Sequence, residues 1–249
     1  MTRILEVCID SLASSRAAVR GGADRLELCS ALALGGLTPY TVLLQQIREE
    51  SSIPIRCLIR SRPGDFLYDK DERNLMAKQI CELKKAGADG FVIGCLTADG
   101  TLDEAALAPL IEAAEGSALT LHRCIDISRN PHETYLHAAQ LGFDTVLTSG
   151  AAHSCVAGLE TIADLLQLKD RCNGPEVLIG AGVNAANIHQ LLTALPHARA
   201  FHASCKEQIE SNMRFRRCDV PMGLPNLDEW HIQQTSTSQV RYLKEALRT

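Results

Sequence analysis

The chain has 249 residues, 46% of them hydrophobic, which is enough apolar material for one large core, so a single domain is expected. A net charge of -5 with scattered Lys and Arg residues provides no basic patch, so neither nucleic acid nor an anionic membrane is expected as a partner. The first residues lack the basic and apolar regions of a signal peptide, and no uninterrupted apolar stretch is typical of a membrane span. A cytoplasmic location is therefore expected.

The cysteines are widely spaced, since no two of the ten lie closer together than Cys205 and Cys218. Without an export signal they are expected to be free thiols rather than a disulfide framework. The spacing excludes CxxC and CxC motifs, and with them zinc fingers and thioredoxin-like redox sites. Any metal site must therefore be assembled by the fold.

Apolar runs alternate with helix-like segments along the chain, and a glycine commonly closes a helix before the next run. The predicted strands are 4–9, 25–29, 55–59, 91–94, 119–122, 145–147, 176–179 and 200–203. Helices are predicted to start at Asp10 or Ser11, at Thr38-Pro39 and at Asn130-Pro131, from capping residues and first-turn prolines. Further helices are predicted over 71–85, 104–114, 156–169 and 239–247.

Eight such strand–helix units predict the α/β class and, within it, a (β/α)₈ TIM barrel. The barrel is predicted to span 1–249 as one domain, with 206–237 as an irregular extension before the last helix. The first strand–helix turn has no GxGxxG motif, which argues against a dinucleotide-binding fold.

Period-two alternation separates helix-facing from lumen-facing side chains on each predicted strand. The predicted lumenal set is Glu6, Cys8, Asp10, Glu27, Cys29, Arg56, Arg60, Thr120, His122, His202 and Ser204. Unpaired charges there would cost several kcal/mol each, so Glu6 and Glu27 are expected to meet Arg56, Arg60 or Arg62. Because the polar residues gather at carboxyl ends of strands, where barrel enzymes keep their sites, a functional pocket is favoured over a purely structural ion-pair network.

Two cysteines stand out because they close a repeated phrase, Glu6-Val7-Cys8 and Glu27-Leu28-Cys29. On adjacent strands about 5 Å apart, two such thiolates would suit a soft ion such as Cu(I), although a lone pair of lumenal cysteines is more often inert than metal-binding. The loops after strands seven and eight are a second candidate site. Their Gly180, Gly182, Asn184 and Ser204 could bind an anion through backbone N–H groups, or the glycines could be close-packing turns.

Phrases along the whole chain resemble the CutC family. They are EVCIDS at 6–11, GGADRLELCS at 21–30, GGLTP at 35–39, GDFLY at 64–68, HR at 122–123 with Asp126, LTSG at 147–150, GAGVN at 180–184 and FHAS at 201–204. The resemblance implies a cytoplasmic TIM-barrel protein associated with copper homeostasis. It also implies a homo-oligomer, such as a dimer or tetramer, that binds copper(I) through Cys8 and Cys29.

Three functional hypotheses follow from these features. The first is a copper-handling protein in which Cys8 and Cys29 supply thiolates to Cu(I). The second is an enzyme acting on a small anionic or phosphorylated ligand. Its groups would be Glu6 or Glu27 as base, His122 or His202 as acid or electrophile, Arg60 and Arg62 as charge clamps, and the 180–184 loop as an oxyanion cradle. The third is a barrel with a purely structural lumen.

Overall fold

The barrel is the organising element of the chain. A computed structural model describes residues 3–217, 219–220, 222–223 and 228–248; within these ranges eight parallel strands close into a barrel in chain order, alternating with eight α-helices. The strands are β1 (Ile4–Ile9), β2 (Arg25–Leu28), β3 (Ile55–Leu58), β4 (Gly90–Ile93), β5 (Ala118–Leu121), β6 (Thr145–Thr148), β7 (Glu176–Ile179) and β8 (Ala200–Ala203). The predicted (β/α)₈ TIM barrel is confirmed.

The helices coat the barrel in the order that the sequence predicts. They are α1 (Leu12–Gly21), α2 (Thr41–Glu50), α3 (Lys70–Lys85), α4 (Glu104–Ala113), α5 (Pro131–Gln140), α6 (Leu159–Cys172), α7 (Ile188–Ala194) and α8 (Thr237–Ala246). Short 3₁₀ turns follow two of the strands, at Leu32–Leu34 and Arg123–Ile127. Among the described residues, no helix has both the length and the apolar character needed to cross a membrane.

Capping residues explain most of the helix starts. The Ser11 side chain accepts the backbone N–H of Ser14 at the start of α1. Asn130 caps α5, whose first residue is Pro131, as predicted. Thr38 is not a cap, which corrects the prediction for α2.

The hydroxyl of Thr38 is used elsewhere, and α2 begins only at Thr41. Thr38 Oγ1 accepts the backbone N–H of Arg60 at 3.0 Å and donates to the Arg60 carbonyl at 3.2 Å. This side chain therefore ties the loop after β2 to the end of β3 instead of starting the helix.

Most of the hydrophobic core lies between the barrel and its helices. Period-two alternation sends the apolar strand residues outward into this layer, where each buried Leu or Ile contributes roughly 1.5–3 kcal/mol. Examples are Leu5, Val7, Ile9, Leu26, Leu28, Ile55, Phe91, Val146 and Phe201. The lumen holds two small apolar clusters, Cys29–Leu58–Val92 and Leu147–Leu178–Ala200. The remaining lumenal positions are left for polar groups.

The segment predicted to be irregular contains two strands in its described part. β9 (Lys206–Glu210) pairs antiparallel with β10 (His231–Thr235), and Ile209 lies opposite Ile232. The prediction of an irregular 206–237 extension is therefore wrong for these residues; 218, 221 and 224–227 lie outside the described part. β9 is largely polar, so its sequence shows no hydrophobic alternation that would predict a strand. Its partner β10 is distant in the sequence, so no tight hairpin turn predicts the pairing.

Candidate functional site

A cavity of about 450 Å³ opens at the carboxyl ends of the barrel strands. Its polar wall includes Cys8, Glu27, Arg60, His122, Arg123, Asp126, Gly182, His202 and Ser204, and its apolar wall includes Leu58, Phe66 and Leu147. This is the face of a TIM barrel on which functional groups are usually carried. The volume falls in the range of small-ligand pockets.

The strand register separates the two cysteines of the repeated phrase. Cys8 lies opposite Glu27, and the backbone N–H of Cys29 reaches the Ile9 carbonyl one step further along β1. The expectation that Cys8 and Cys29 lie side by side is therefore corrected. Strands of a closed barrel are staggered, so equivalent positions in a repeated phrase do not share a level.

Cys29 is fully buried within the lumenal cluster with Leu58 and Val92 and does not line the cavity. Its Sγ–H donates to the Ile9 carbonyl at 3.4 Å. Burial, together with the nearby Glu27 carboxylate, raises the pKa of Cys29 well above its usual value. Cys29 is thus held as a neutral thiol in this packing.

Cys8 instead meets Glu27 and His202. One donor atom from each of these three side chains lies within 4.8 Å of the other two, and among the described residues no other group of three His, Cys, Asp or Glu side chains comes so close. Cys8 lies on β1, Glu27 on β2 and His202 on β8, and these three strands are neighbours in the closed barrel. A sulfur, an imidazole and a carboxylate therefore converge on the cavity wall.

Glu6 lies two residues before Cys8 on β1 and supports this cluster through its hydrogen bonds. Its carboxylate, with no exposed surface, accepts a hydrogen bond from Arg25 Nε at 2.5 Å and one from His202 Nδ1 at 2.8 Å. Since Nδ1 is used in this way, Nε2 is the His202 nitrogen that faces the cluster, 3.9 Å from a Glu27 oxygen. The predicted partners of Glu6 were wrong, because Arg25 takes that place.

Arg56, predicted as a partner for the lumenal acids, is engaged elsewhere. It pairs with Asp144 at 2.7 Å and donates to the hydroxyls of Thr120 and Thr145 at 2.5 and 3.0 Å. These contacts lie toward the amino-terminal end of the barrel, because Thr145 opens β6 and Arg56 lies opposite Gly90, the first residue of β4. Arg56 therefore closes the floor of the lumen rather than shaping the cavity.

The pKa values of the two buried glutamates, Glu6 and Glu27, are shifted in opposite directions. Burial alone would raise the pKa of Glu6, but the charge of Arg25 and the bond to His202 outweigh it and lower that pKa to about 2. Burial, together with the charge of Glu6, raises the pKa of Glu27 to about 7, against the opposing charges of His202 and Arg25. For His202, burial would lower the pKa, but the interactions with Cys8 and Glu27 and the hydrogen bond to Glu6 outweigh it and raise the pKa well above its usual value.

His122 and Arg60 form the opposite wall of the cavity. The His122 ring stacks on Phe66 with centroids 4.5 Å apart, and its Nδ1 accepts the backbone N–H of Cys124 at 3.2 Å. Burial and the nearby charge of Arg60 lower the pKa of His122 to about 3, so the ring is neutral at physiological pH. Its neighbour Gly94 has no side chain for a steric reason, since a Cβ there would lie 2.5 Å from Cys124 Sγ.

Three of the predicted anion-binding residues, Arg62, Gly180 and Asn184, do not line the cavity. Arg62 directs its guanidinium to Glu72, to Asp65 and to loop carbonyls, and so organises the connection between β3 and α3. The Asn184 side chain donates to the Gly182 carbonyl and accepts the Ala186 N–H, which closes its own turn.

The predicted glycines and serine of the loops after β7 and β8 lie at or near the cavity. Gly182 and Ser204 belong to its wall. Gly180 is a close-packing position, because a Cβ there would lie 2.6 Å from Leu147 Cδ1. The anion-binding role of these loops stays a prediction.

Arg123 and Asp126 are cavity residues that the sequence argument did not assign. The Asp126 carboxylate accepts bonds from Arg123 Nε at 2.7 Å, from Thr148 Oγ1 at 2.6 Å and from the Ser149 N–H at 3.0 Å. It thereby joins the ends of β5 and β6. Arg123 and Asp126 follow directly after β5, and the carboxyl ends of the barrel strands all meet at one face of the barrel. This position in the sequence could have identified both residues as members of the site.

Comparison with known proteins identifies the family to which this chain is similar. The family model described as CutC family matches residues 3–207. A CutC family protein from Chromobacterium violaceum is 42% identical over 248 residues, covering 99% of each chain. One from Vibrio cholerae is 39% identical over 245 residues, covering 98% of this chain and 95% of its own.

Solved structures agree with these sequence relatives. The crystal structure of CutC from Streptococcus agalactiae, a protein assigned to copper homeostasis, matches with a TM-score of 0.76 and 25% identity, covering 82% of this chain and 99% of its own. Thiamine phosphate pyrophosphorylase from Pyrococcus furiosus has a TM-score of 0.58 at 13% identity, covers 98% of this chain and 95% of its own, and shares the fold alone. The match over 3–207 and the identity over nearly the full length place this chain in the CutC family.

Proposed function

We propose that this protein handles Cu(I) in the cytoplasm and binds the ion at Cys8, with His202 and Glu27 beside the sulfur. The observation that carries the proposal is the convergence of these three side chains on the cavity of a CutC family barrel. Thiolate and imidazole are the ligands that Cu(I) prefers, whereas a carboxylate is better suited to balancing charge. Glu6 supports this arrangement by holding the His202 ring through Nδ1.

The geometry favours His202 over Cys29 as the companion of Cys8. Cys29 is buried in an apolar cluster and gives its S–H to a backbone carbonyl, so its ionisation is disfavoured. Cys8, in contrast, retains some exposure in the cavity wall, where an ion could reach it. The family comparisons favour copper handling over an enzyme acting on a small anionic substrate.

An anaerobic Cu(I) titration against a chromophoric competitor tests the proposal. Cys8→Ser should weaken binding at least tenfold, and His202→Gln should weaken it to a smaller extent. Cys29→Ser should bind within threefold of wild type, and Cys57→Ser, a buried thiol on the helix-facing side, serves as the matched control. Unchanged affinity and stoichiometry in Cys8→Ser would exclude this site.

X-ray absorption spectroscopy of the copper-loaded protein is a second, independent test, because it identifies the atoms bound to copper. A spectrum with sulfur and nitrogen neighbours is expected, and the nitrogen contribution should disappear in His202→Gln. A spectrum with two sulfur neighbours that loses one in Cys29→Ser would instead support the paired-cysteine arrangement inferred from the family resemblance.

A further inference from the structure

Arg60 is a buried cation that forms no ion pair with any of the described residues. Only 9% of the residue is exposed, and its guanidinium donates to three neutral carbonyls, those of Leu34 (3.1 Å), Gly36 (3.2 Å) and Gly64 (2.8 Å). Among the described residues, no carboxylate lies within 4.0 Å of it, whereas the buried guanidinium of Arg56 has one. Buried charges in proteins are normally paired, because removing an ion from water is costly. Arg60 therefore presents an uncompensated positive charge at the cavity wall.

The same corner contains hydrogen-bond donors that are not used. Arg60 Nε and His122 Nε2 are both buried, and neither has a partner in the part of the chain that the structure describes. His122 Nδ1 already accepts the Cys124 N–H, so the proton of the neutral ring is on Nε2. Both atoms are therefore donors, and neither has an acceptor within hydrogen-bond distance among the described residues.

Phe66 links these two residues. Its ring centroid lies 4.5 Å from that of His122 and 5.1 Å from the Arg60 guanidinium carbon. It belongs to the 59–69 connection, which contains neither helix nor strand, and it lines the cavity together with Arg60 and His122. Phe66 therefore packs against both of these residues at the cavity wall.

We propose that the cavity binds a small molecule carrying an oxyanion, either a carboxylate or a phosphate, through Arg60 and His122. A neutral ligand or a water molecule could accept the N–H bonds, but only an anion also balances the buried charge. An oxyanion suits the planar guanidinium, which can donate to two of its oxygens. The cavity volume of about 450 Å³ leaves room for the remainder of such a molecule.

This site is separate from the proposed copper cluster. It uses side chains that follow β3 and β5, whereas Cys8, Glu27 and His202 come from β1, β2 and β8. Anion binding should therefore persist in Cys8→Ser and in metal-free protein. Failure of one proposal does not entail failure of the other.

Isothermal titration calorimetry of the metal-free full-length chain tests the inference with inorganic phosphate and with malonate as separate probes. Saturable heat with phosphate alone assigns the phosphate class, and heat with malonate alone assigns the carboxylate class. Arg60→Gln should weaken the binding at least tenfold. Arg16→Gln, which removes an exposed arginine paired with Glu50, should leave it within twofold. Absence of saturable binding to either probe would overturn the proposal.

Arg60 also holds loop carbonyls, so its variant could lose structure as well as charge. Nitrogen-15 NMR of the wild-type histidines avoids that ambiguity, because the binding titration is carried out on the wild-type chain and a substitution serves only to assign the resonance. The His122 Nε2 resonance, assigned with His122→Gln, should move on addition of the binding probe. Binding with an unmoved His122 resonance, or equal affinity in a folded Arg60→Gln variant, would refute the assignment.

Discussion

Replacing Glu27 by glutamine should stabilise the protein at high pH and leave its stability unchanged at low pH. Glu27 is 6% exposed, and burial raises its pKa from 4.5 to about 7, with the charge of Glu6 adding to the rise while His202 and Arg25 oppose it. Its carboxyl therefore keeps a proton in the folded protein at a pH where the unfolded chain has already lost it. Glutamine keeps the shape of the protonated acid but does not titrate.

The size of the effect follows from the two pKa values of Glu27. Between pH 4.5 and about 7 the folded state binds one more proton than the unfolded state, so wild-type stability falls as the pH rises through this interval. The difference between those values corresponds to about 3 kcal/mol. The free energy of unfolding of Glu27→Gln relative to wild type should therefore start near zero at about pH 4.5 and rise by about 3 kcal/mol by about pH 8.

Urea unfolding followed by circular dichroism at a series of pH values measures this difference. Glu49→Gln, at an exposed position of α2, is the matched control and should stay within about 0.5 kcal/mol of wild type throughout. A Glu27→Gln difference that stays constant across the pH range would refute the reasoning. It would mean that the Glu27 carboxyl does not hold its proton near neutral pH.

Three further predictions rest on other contacts of the site. Glu6→Gln should destabilise the protein by about 3–5 kcal/mol in urea unfolding at neutral pH, because it leaves Arg25 without its buried partner; a loss below about 1 kcal/mol would contradict this. Gly94→Ala should cost about 1–3 kcal/mol, seen as a lower melting temperature, since its Cβ would lie 2.5 Å from both Cys124 Sγ and His122 Cε1; an unchanged melting temperature would mean that these side chains adjust freely. Cu(I) affinity should fall as the pH is lowered, because protons compete for the proposed ligands; a competition titration with no pH dependence would argue against them.

The strands and their faces could be predicted because the signals for them are local. β1, β7 and β8 have the predicted bounds, and the remaining barrel strands differ from prediction by one residue at one or both ends. Alternation of apolar and polar residues is a property of each strand by itself, and burial on the helix side enforces it. Arg25 could have been found in the same way, since it lies two residues before Glu27 on the lumenal face.

The relative levels of the strands could not be read from the sequence. Cys8 and Cys29 end matching phrases, yet the Cα partner of Cys8 is Glu27. The offset arises from the stagger that closes a barrel, which is a property of all eight strands together. The partner of Glu6 was missed for the same reason. The strand register places Glu6 directly opposite Arg25, and this register cannot be read from either strand alone.

The protonation pattern of the cluster bears on which ion the site would suit. Glu6 is ionised and neutralised by Arg25, while Glu27 keeps a proton near neutral pH and His202 tends to carry one. Under the proposed copper binding, a Cu⁺ ion that displaces one of these protons leaves the buried charge unchanged. A divalent ion displacing one proton would add a full positive charge to a cavity that already holds the Arg60 guanidinium, and burying such a charge is costly. The distribution of charge in the lumen therefore supports the two proposals, a monovalent cation at Cys8 and an oxyanion opposite it at Arg60.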